Sequence, residues 1–407
     1  MTIRLTFTRY SSVRFSPDPV GDLVFNGVAS GVSRTSLLNG IQGDVGYRLT
    51  PAHTLRAGVT VSGESSKVSN TSTLLPLDGG GAPIDAPFTI NDTSSKLGWL
   101  FGIYLQDEWK LTSQLTLNLG LRFDQMNQYV DANQLSPRAS LEYKPFAGTM
   151  FHAGYARYFT PPSQVLAAPT NLALVAGTTQ QPEVTKSDPV LPERSHYFDI
   201  GVDQKVMPGL VVGVGAYAKF ARDLIDDGQF GAAYVQTAFN YDRAINRGVE
   251  LKAKYEANGL RVYGNLALAN QRGTNIVSNQ FLFSQAELDY IATHKIFTDH
   301  SQTLTGSAGI SYLWDKTRFS ADLIYGSGLR SGDFNSDHVP AYTQVNAGVS
   351  NEFKWSDIPS AKPVTIRFDV VNVFDHIYEI RDGSGIGVFA PQFGPRRGYF
   401  VGLSQKF

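Results

Sequence analysis

One stretch of the sequence decides the fold class, the ten residues LTLNLGLRFD at positions 115–124. Leucine or phenylalanine occupies every odd position, whereas polar residues or glycine occupy every even one. Successive side chains of a β-strand point to opposite faces of the sheet, so this period of two predicts a strand. One face of that strand is apolar and the other is polar.

The same alternation recurs along the chain, for example at 249–255, 304–314 and 364–370. Many of these segments run for about 12–15 residues, whereas strands of soluble sheets usually have about 5–6. A soluble sandwich or propeller, the competing interpretation, would have short strands and regularly spaced turns. Besides weaker candidates at 2–9 and 22–30, we predict strands at 36–50, 53–67, 96–110, 114–127, 136–145, 148–159, 193–206, 209–222, 243–257, 259–270, 300–314, 317–330, 341–354, 362–376 and 396–407.

The links between these strands are alternately short and long. Very short links are predicted at 51–52, 111–113, 146–147, 207–208, 256–258 and 315–316. Long links are predicted at 68–95, 160–192, 223–242, 271–299, 331–340 and 377–395. Short turns at one end and long loops at the other are typical of an outer-membrane barrel. The pattern therefore predicts an all-β fold, a transmembrane, antiparallel, up-and-down β-barrel of about 15–17 long strands.

The composition excludes several other classes of protein. The 407 residues include 35 Lys plus Arg and 36 Asp plus Glu, for a formal net charge of −1, and no cysteine. A nucleic-acid-binding protein would need a basic surface, and no nucleic-acid partner is expected. The lack of cysteine excludes disulfide scaffolds, cysteine nucleophiles and thiolate metal sites. The longest nearly apolar stretch, 209–218, is far too short for a membrane-spanning helix.

Aromatic residues are predicted to form two belts, as expected where amphipathic rings meet the two membrane interfaces. Beside the short turns lie Trp109, Phe146, Tyr255, Trp314, Phe353, Trp355 and Phe407. Near the ends of the long loops lie Tyr158, Phe159, Phe220, Tyr325, Phe374 and Tyr378.

Residues 102–112, GIYLQDEWKLT, followed by the stretch at 115–124, resemble the barrel of TonB-dependent outer-membrane receptors. Further matches are LSPR at 135–138, GYARYF at 154–159, NVFD at 372–375 and GPRR at 394–397. The ordered set covers about 100–407. The resemblance implies a 22-stranded barrel, of which this chain would hold roughly the C-terminal two-thirds to three-quarters.

The plug, the TonB box and the signal peptide of that family have no counterpart in this sequence. We therefore expect residues 1–407 to form a partial barrel domain that is open or incomplete. Within it, residues 1–35 hold the weakly assigned strands and 36–407 the clear barrel strands with long extracellular loops.

The resemblance also implies a function and partners. It implies TonB-dependent uptake of a scarce, bulky nutrient such as a ferric siderophore, haem, cobalamin or a glycan, by a protein of the bacterial outer membrane. The partners would be outer-membrane lipid and lipopolysaccharide, and the TonB complex only through a plug. The barrel assembly machinery would recognise the terminal Phe407 as the insertion signal.

Arginine together with aromatic residues in the loops and upper barrel suits a large anionic, partly aromatic ligand. The competing interpretation of these residues is packing within the girdle and the loops. The candidates are Arg157, Tyr158, Phe159, Tyr241, Arg243, Phe281, Phe283, Arg330, Phe334, Arg381, Phe389, Phe393 and Arg396.

Other features of the long loops have weaker support. A metal site could form between two loops, although the spacing of its residues fits no standard site. The acidic residues at 223–228 suggest a calcium loop, but they lack the later Glu of an EF-hand. Ser284 and Glu287 have the spacing of a capping box that opens a short helix through Ala292. The residues considered for the metal site are His294, Asp299, His300, Asp333, Asp337 and His338.

Two alternatives to the receptor remain at this stage. The first is a passive, porin-like outer-membrane channel of about sixteen strands, and the second is a soluble β-protein that acts as an adhesin. An enzyme is not expected, because the sequence has no nucleophile elbow, phosphate loop or zinc-protease motif. His152 and Ser140 could face the lumen on neighbouring strands, as in an outer-membrane esterase, but a histidine in a polar wall more often has a structural role. No cofactor and no bound metal are predicted.

Overall fold

The computed structural model describes residues 2–230, 235–354, 362–387 and 391–405. They form an all-β protein with one 17-stranded antiparallel sheet, in which the two-residue strand Ile296–Phe297 adds to sixteen long strands. The long strands are β1 Thr2–Phe15, β2 Val28–Arg48, β3 His53–Leu74, β4 Phe88–Lys110, β5 Leu115–Asn127, β6 Asp131–Tyr143, β7 Thr149–Thr160, β8 Glu193–Met207, β9 Leu210–Phe230, β10 Val235–Ala257, β11 Leu260–Ile276, β12 Leu304–Trp314, β13 Thr317–Gly326, β14 Tyr342–Phe353, β15 Val364–Val371 and β16 Gly398–Gln405.

Each long strand pairs antiparallel with the strands before and after it in the chain, so the topology is up-and-down. This confirms the predicted fold class. Within the described ranges, β1 pairs only with β2 and β16 pairs only with β15. The sheet therefore has two edges in that part of the chain.

The two faces of the sheet differ as the alternation predicts. On the outer face the apolar side chains are exposed; Leu105, for example, is 58% exposed and Leu403 is 71% exposed. A soluble monomer rarely exposes so large a continuous apolar surface, whereas a barrel presents one to lipid. Other exposed members are Leu97, Ile103, Leu119, Leu121, Phe198, Ile200, Val249, Leu251, Leu268, Ile310, Phe368 and Val401.

Two predicted long links are largely wrong, because the flanking strands continue beyond their predicted ends. β3 and β4 stay paired as far as Leu74 and Phe88, where threonines face each other, with the hydroxyls of Thr73 and Thr89 3.1 Å apart. Such Thr–Thr pairs stabilise neighbouring strands. β9 and β10 likewise pair as far as Phe230 and Val235, so most of the predicted link at 223–242 is a hairpin.

The weak N-terminal candidates have mixed outcomes. The candidate at 2–9 is confirmed and extends to Phe15. The candidate at 22–30 is wrong in its first part, because Gly21–Asn26 is a short helix, α1. The side chain of Asp18 accepts the backbone N–H groups of Val20 and Gly21 at 3.1 Å and starts this turn. Gly27, at φ 71°, ends the helix in the left-handed region that glycine favours.

The long loops fold back between the walls of the sheet and form a packed cap. The helix α2, Gln285–Thr293, begins at Ser284, and Ser284 and Glu287 form the predicted capping box. Phe239, Tyr241, Phe283 and Ile291 are among the residues of the largest buried apolar cluster in the described part of the chain. Three short segments are 3₁₀ helices, Leu172–Val175, Gln280–Leu282 and Asp333–Asn335. Two pairs of very short strands complete the described elements: Arg330–Ser331 pairs with Asp337–His338, and Glu379–Arg381 pairs with Gln392–Phe393.

Among the described residues, no helix is both long and apolar enough to cross a membrane.

Candidate functional site

The inner face of the sheet carries a row of three tyrosines near the long-loop end. Tyr158 of β7, Tyr197 of β8 and Tyr217 of β9 lie on neighbouring strands. The rings of Tyr158 and Tyr197 meet edge to face with centroids 6.0 Å apart, and those of Tyr197 and Tyr217 stack at 6.1 Å. We call these three residues the lumen tyrosines.

Glycine on the next strand makes room for the last of these rings. Gly248 of β10 lies directly opposite Tyr217, and a Cβ atom at this glycine would be 2.8 Å from the Tyr217 ring. A side chain there would displace the ring, so the ring can occupy this position only because residue 248 is glycine. Close by, Lys219 Nζ forms an ion pair with Glu193 Oε1 at 2.5 Å.

Nearer the short-turn end, the inner face is a wall of charged and hydrogen-bonding groups. Tyr104 donates to Asp44 Oδ1 at 2.8 Å, and the guanidinium of Arg138 lies 5.8 Å from the centroid of the Tyr104 ring. Arg122 binds Asp124 with a nitrogen–oxygen distance of 2.7 Å. The polar wall is continuous with the lumen tyrosines, so a polar ligand that passed the cap would meet hydrogen-bonding groups along its path.

The cap contacts the inner wall through buried amides. Gln164, whose side chain is fully buried, donates to the backbone oxygen atoms of Glu64 at 3.1 Å and Lys96 at 2.8 Å. Asn240 donates to the backbone oxygen atoms of Leu191 at 3.0 Å and Asp223 at 2.8 Å. Because a buried amide is costly to leave unpaired, these bonds hold the loop 161–192 against β3, β4 and β10.

A charged cluster joins the loop 277–303 to the loop 372–397. Arg381 Nη1 lies 2.6 Å from Asp299 Oδ2, and both side chains are buried. The second Arg381 nitrogen contacts His300 Nε2. His300 Nδ1 lies 3.3 Å from Asp226 Oδ1, and this carboxylate raises the pKa of His300 above its ordinary value of 6.5.

The two C-terminal motifs quoted above come together at the end of β15. Asn372, which is fully buried, donates to the backbone oxygen atoms of His376 and Pro395. The Asp375 carboxylate accepts from Arg396 Nε at 2.8 Å and from the backbone N–H of Arg397 at 3.0 Å. These bonds hold the pKa of Asp375 well below its usual range. The motif residues therefore shape a turn, and the predicted strand 362–376 ends at Val371.

The predicted ligand-binding residues lie in different places. Five are buried inside the cap, namely Tyr241, Phe281, Phe283, Arg330 and Arg381. Tyr158 alone of the set belongs to the lumen tyrosines. The register places Arg157, Phe159 and Arg243 on the outer face, together with Phe198 and Val249.

The remaining candidates lie on the loops or outside the described residues. Phe334 stacks on Tyr290 at 4.0 Å, Phe393 is exposed, and Arg396 is bound to Asp375. Phe389 and Phe407 lie outside the described residues. So does Trp355 of the predicted aromatic belt. Tyr378 of that belt is buried, stacked on Tyr342 at 4.3 Å, because its hydroxyl donates to Gln344.

The metal hypotheses gain no support from the geometry. Across the residues that the structure describes, no group of three or more His, Asp or Glu side chains is arranged to hold a metal ion. The acidic segment at 223–228 is part of β9 and is not a calcium-binding loop.

Sequence reasoning missed Tyr197, Tyr217 and Gln164. The first two share the polar face with Asp199 and Lys219, so the parity of the alternation was a signal that could have found them. No sequence signal points to Gln164, because it lies in a loop whose path depends on tertiary packing.

An up-and-down sheet with a lipid-type outer face, a polar inner face and loops packed over one end defines an outer-membrane β-barrel. The profile of the family described as "TonB dependent receptor-like, beta-barrel" matches residues 2–373. The chain therefore belongs to this family, whose barrels lie in the outer membrane. Among curated proteins, none matches the sequence significantly.

Solved structures agree with this assignment at the level of the fold. The ferric citrate transporter FecA in its unliganded form aligns with a TM-score of 0.63 and 17% identity over 98% of this chain and 58% of that one. The FrpB iron transporter from Neisseria meningitidis aligns with a TM-score of 0.64 and 16% identity over 99% of this chain and 60% of that one. The siderophore receptor PiuA from Acinetobacter baumannii aligns with a TM-score of 0.60 and 13% identity over 98% of this chain and 61% of that one. This chain thus spans about three-fifths of the length of these structures.

Proposed function

We propose that this chain forms the ligand-binding barrel of an outer-membrane receptor for TonB-dependent uptake of a scarce, bulky nutrient of the ferric siderophore class. The observation that carries the proposal is the row of lumen tyrosines beneath a packed cap, in a barrel of this family. The solved structures named above, a ferric citrate transporter and a siderophore receptor among them, support the same class of ligand.

The chemistry of the site suits such a ligand. Phenol rings supply flat apolar area together with a hydroxyl that donates to carboxylate, catecholate or hydroxamate oxygens. Lys219 lies directly opposite Tyr197 on the next strand, and its ammonium group would exchange its present partner, Glu193, for an oxygen of the ligand. A large anionic chelate would therefore find stacking surface, hydrogen-bond donors and charge compensation in one place.

Uptake would proceed in two stages. The cap would first open and admit the chelate to the lumen tyrosines, and the polar inner wall would then accept it on the way to the short-turn end. In this family the energy for the second stage reaches the barrel through the TonB complex and a plug domain. The barrel described here would supply the binding surface and the path.

The binding role can be tested by titrating the folded full chain in detergent with ferric citrate, a ferric catecholate and a ferric hydroxamate. We expect Y197A to weaken binding of the preferred chelate by about tenfold, the loss of roughly one stacking contact. Y263A is the matched control, because Tyr263 is an inward-facing tyrosine of β11 near the short-turn end. Equal affinity of wild type and Y197A would contradict the proposal.

The described residues form sixteen long strands, an even number, which leaves a passive channel as the second candidate. Planar-bilayer recordings separate the two. A receptor whose mouth is filled by the cap should give no steady conductance, whereas a passive channel should give stable steps in the absence of any ligand.

A further inference from the structure

The outer face of the sheet carries a cluster of cationic side chains at the long-loop end of β7 to β11. Arg194, Arg222 and Arg243 are direct partners across three neighbouring strands. Together with three further cations they line an open groove of about 630 Å³. We call the six residues the basic belt: Arg157, Arg194, Arg222, Arg243, Arg272 and Lys295.

The register shows that the basic belt faces away from the lumen. Residues that pair across strands share a face of the sheet. Arg157 pairs with His196, and His196 pairs with Phe220. Phe198 of β8 and Ala218 of β9, which pair with each other, lie two positions away from His196 and Phe220 and share their face. Two more positions along lie Ile200 and Ala216, where the surface is fully apolar and Ile200 is 64% exposed. The belt therefore borders the lipid-facing surface on its long-loop side.

The charges of the belt are only partly balanced within the protein. Asp223 Oδ2 lies 3.7 Å from Arg194 Nη1, and Asp242 Oδ2 lies 3.8 Å from Arg243 Nε. These two carboxylates face six cationic side chains. Like charges directly opposite each other on neighbouring strands destabilise a sheet. The row of three arginines thus calls for an external anion.

We propose that the basic belt binds the phosphate groups of a glycolipid in the outer leaflet of the membrane, and so fixes lipopolysaccharide against β7 to β11. Arginine forks match phosphate oxygens in bidentate geometry. The long-loop end of a barrel is extracellular, so the belt lies at the level of the outer-leaflet headgroups. The apolar rows next to it would contact the acyl chains of the same lipid.

Aromatic contacts hold part of the belt in place without neutralising it. The guanidinium of Arg194 lies 5.6 Å from the centroid of the Phe159 ring, and that of Arg272 lies 4.1 Å from the Phe297 ring. Arg330, a buried arginine of the cap, lies on the same Phe297 ring at 3.5 Å. Pre-positioned guanidinium groups lose less side-chain freedom when they bind an anion.

The experiment uses the full chain in phosphatidylcholine nanodiscs titrated with fluorescent lipopolysaccharide. The test variant is R222Q/R243Q/R272Q, and the control R48Q/R261Q/R367Q removes the same formal charge from the short-turn half of the sheet. We expect the test variant to bind about 100-fold more weakly, since each arginine near a membrane surface contributes a factor of about five. The control should bind as wild type does. Lipopolysaccharide with its phosphates removed should bind wild type as weakly as the intact lipid binds the test variant.

Two outcomes would overturn the proposal. One is equal affinity of wild type and the test variant for the intact lipid. The other is competition by millimolar inorganic phosphate in detergent as strong as that by the lipid, which would indicate a site for a soluble anion. If the triple variant fails to fold, the single variants R222Q and R243Q replace it, each with an expected loss of about fivefold.

Discussion

At the scale of single residues, the ion pair of Arg381 and Asp299 is a buried link between two loops of the cap. Because both side chains are buried, loss of one partner leaves an uncompensated charge. We expect R381A to destabilise the cap by about 3–5 kcal/mol. Limited proteolysis of the folded chain should then cut the loop 277–303 faster than in wild type.

R396A is the matched control for this change, because Arg396 also pairs with an aspartate. Its partner, Asp375, lies in the same loop as Arg396, and the Arg396 side chain is exposed. Loss of an exposed arginine leaves its aspartate in contact with water, so the cost is smaller than for a buried pair. Equal cleavage of R381A and wild type would mean that the buried pair does not hold the cap.

His300 should make the cap sensitive to pH. Asp226 raises the pKa of His300 through a hydrogen bond and its charge, whereas burial and the charge of Arg381 oppose this effect and Asp299 supports it. A raised pKa in the folded state means that the charged imidazole stabilises the cap. This contribution is fully present below pH 6.5 and is lost as the pH rises through the raised value. A nitroxide label at A292C should therefore become more mobile with rising pH.

The control for the pH experiment is the same label in an H300Q background. Its mobility should not change over this pH range, because glutamine does not titrate. A parallel rise in both proteins would assign the transition to another group.

The roles of single residues were harder to predict from the sequence than the fold or its elements. The sequence pointed to arginine and aromatic residues, but it could not tell which of them would pack in the cap. Tyr241 and Phe283 are buried like core residues because the loops of the cap pack over them. Arg157 and Arg243 could have been assigned to the outer face by counting parity from Phe151 and Val249.

At the scale of elements, the sequence predicted correctly a feature that depends on contacts between nearby residues. The capping box at Ser284 formed as expected because its bonds lie within four residues. The extent of β3, β4, β9 and β10 was underestimated, since the pairing of a strand depends on its partner strand as well as on its own sequence.

The helix α2 gives a prediction at this scale. S284A removes the side chain that accepts the Glu287 N–H, so the helix should lose about 1 kcal/mol of stability. Hydrogen exchange of the amides at 285–293 should become about fivefold faster, whereas amides of β5 should be unaffected. Unchanged exchange at 285–293 would show that packing of Ile291 alone holds the helix.

At the scale of the whole molecule, the two sheet edges have a direct test. The chain has no cysteine, so introduced pairs are its only thiols. T8C/N39C joins directly opposed positions of β1 and β2 and should form a disulfide readily. T8C/G402C joins β1 to β16, which are unpaired with each other in the described ranges, and should not form one within a monomer. A rapid disulfide in the second pair would indicate that the two edges meet.

The alternation of faces along strands such as β5 also constrains how a gene of this kind can change in length. An insertion or deletion of one codon within a strand turns every later side chain of that strand to the opposite face, and Arg122 would meet lipid while Leu121 met the lumen. Codons gained or lost in pairs preserve the faces. Length variants of this barrel should therefore carry even-numbered changes inside strands, and changes of either parity only in the links.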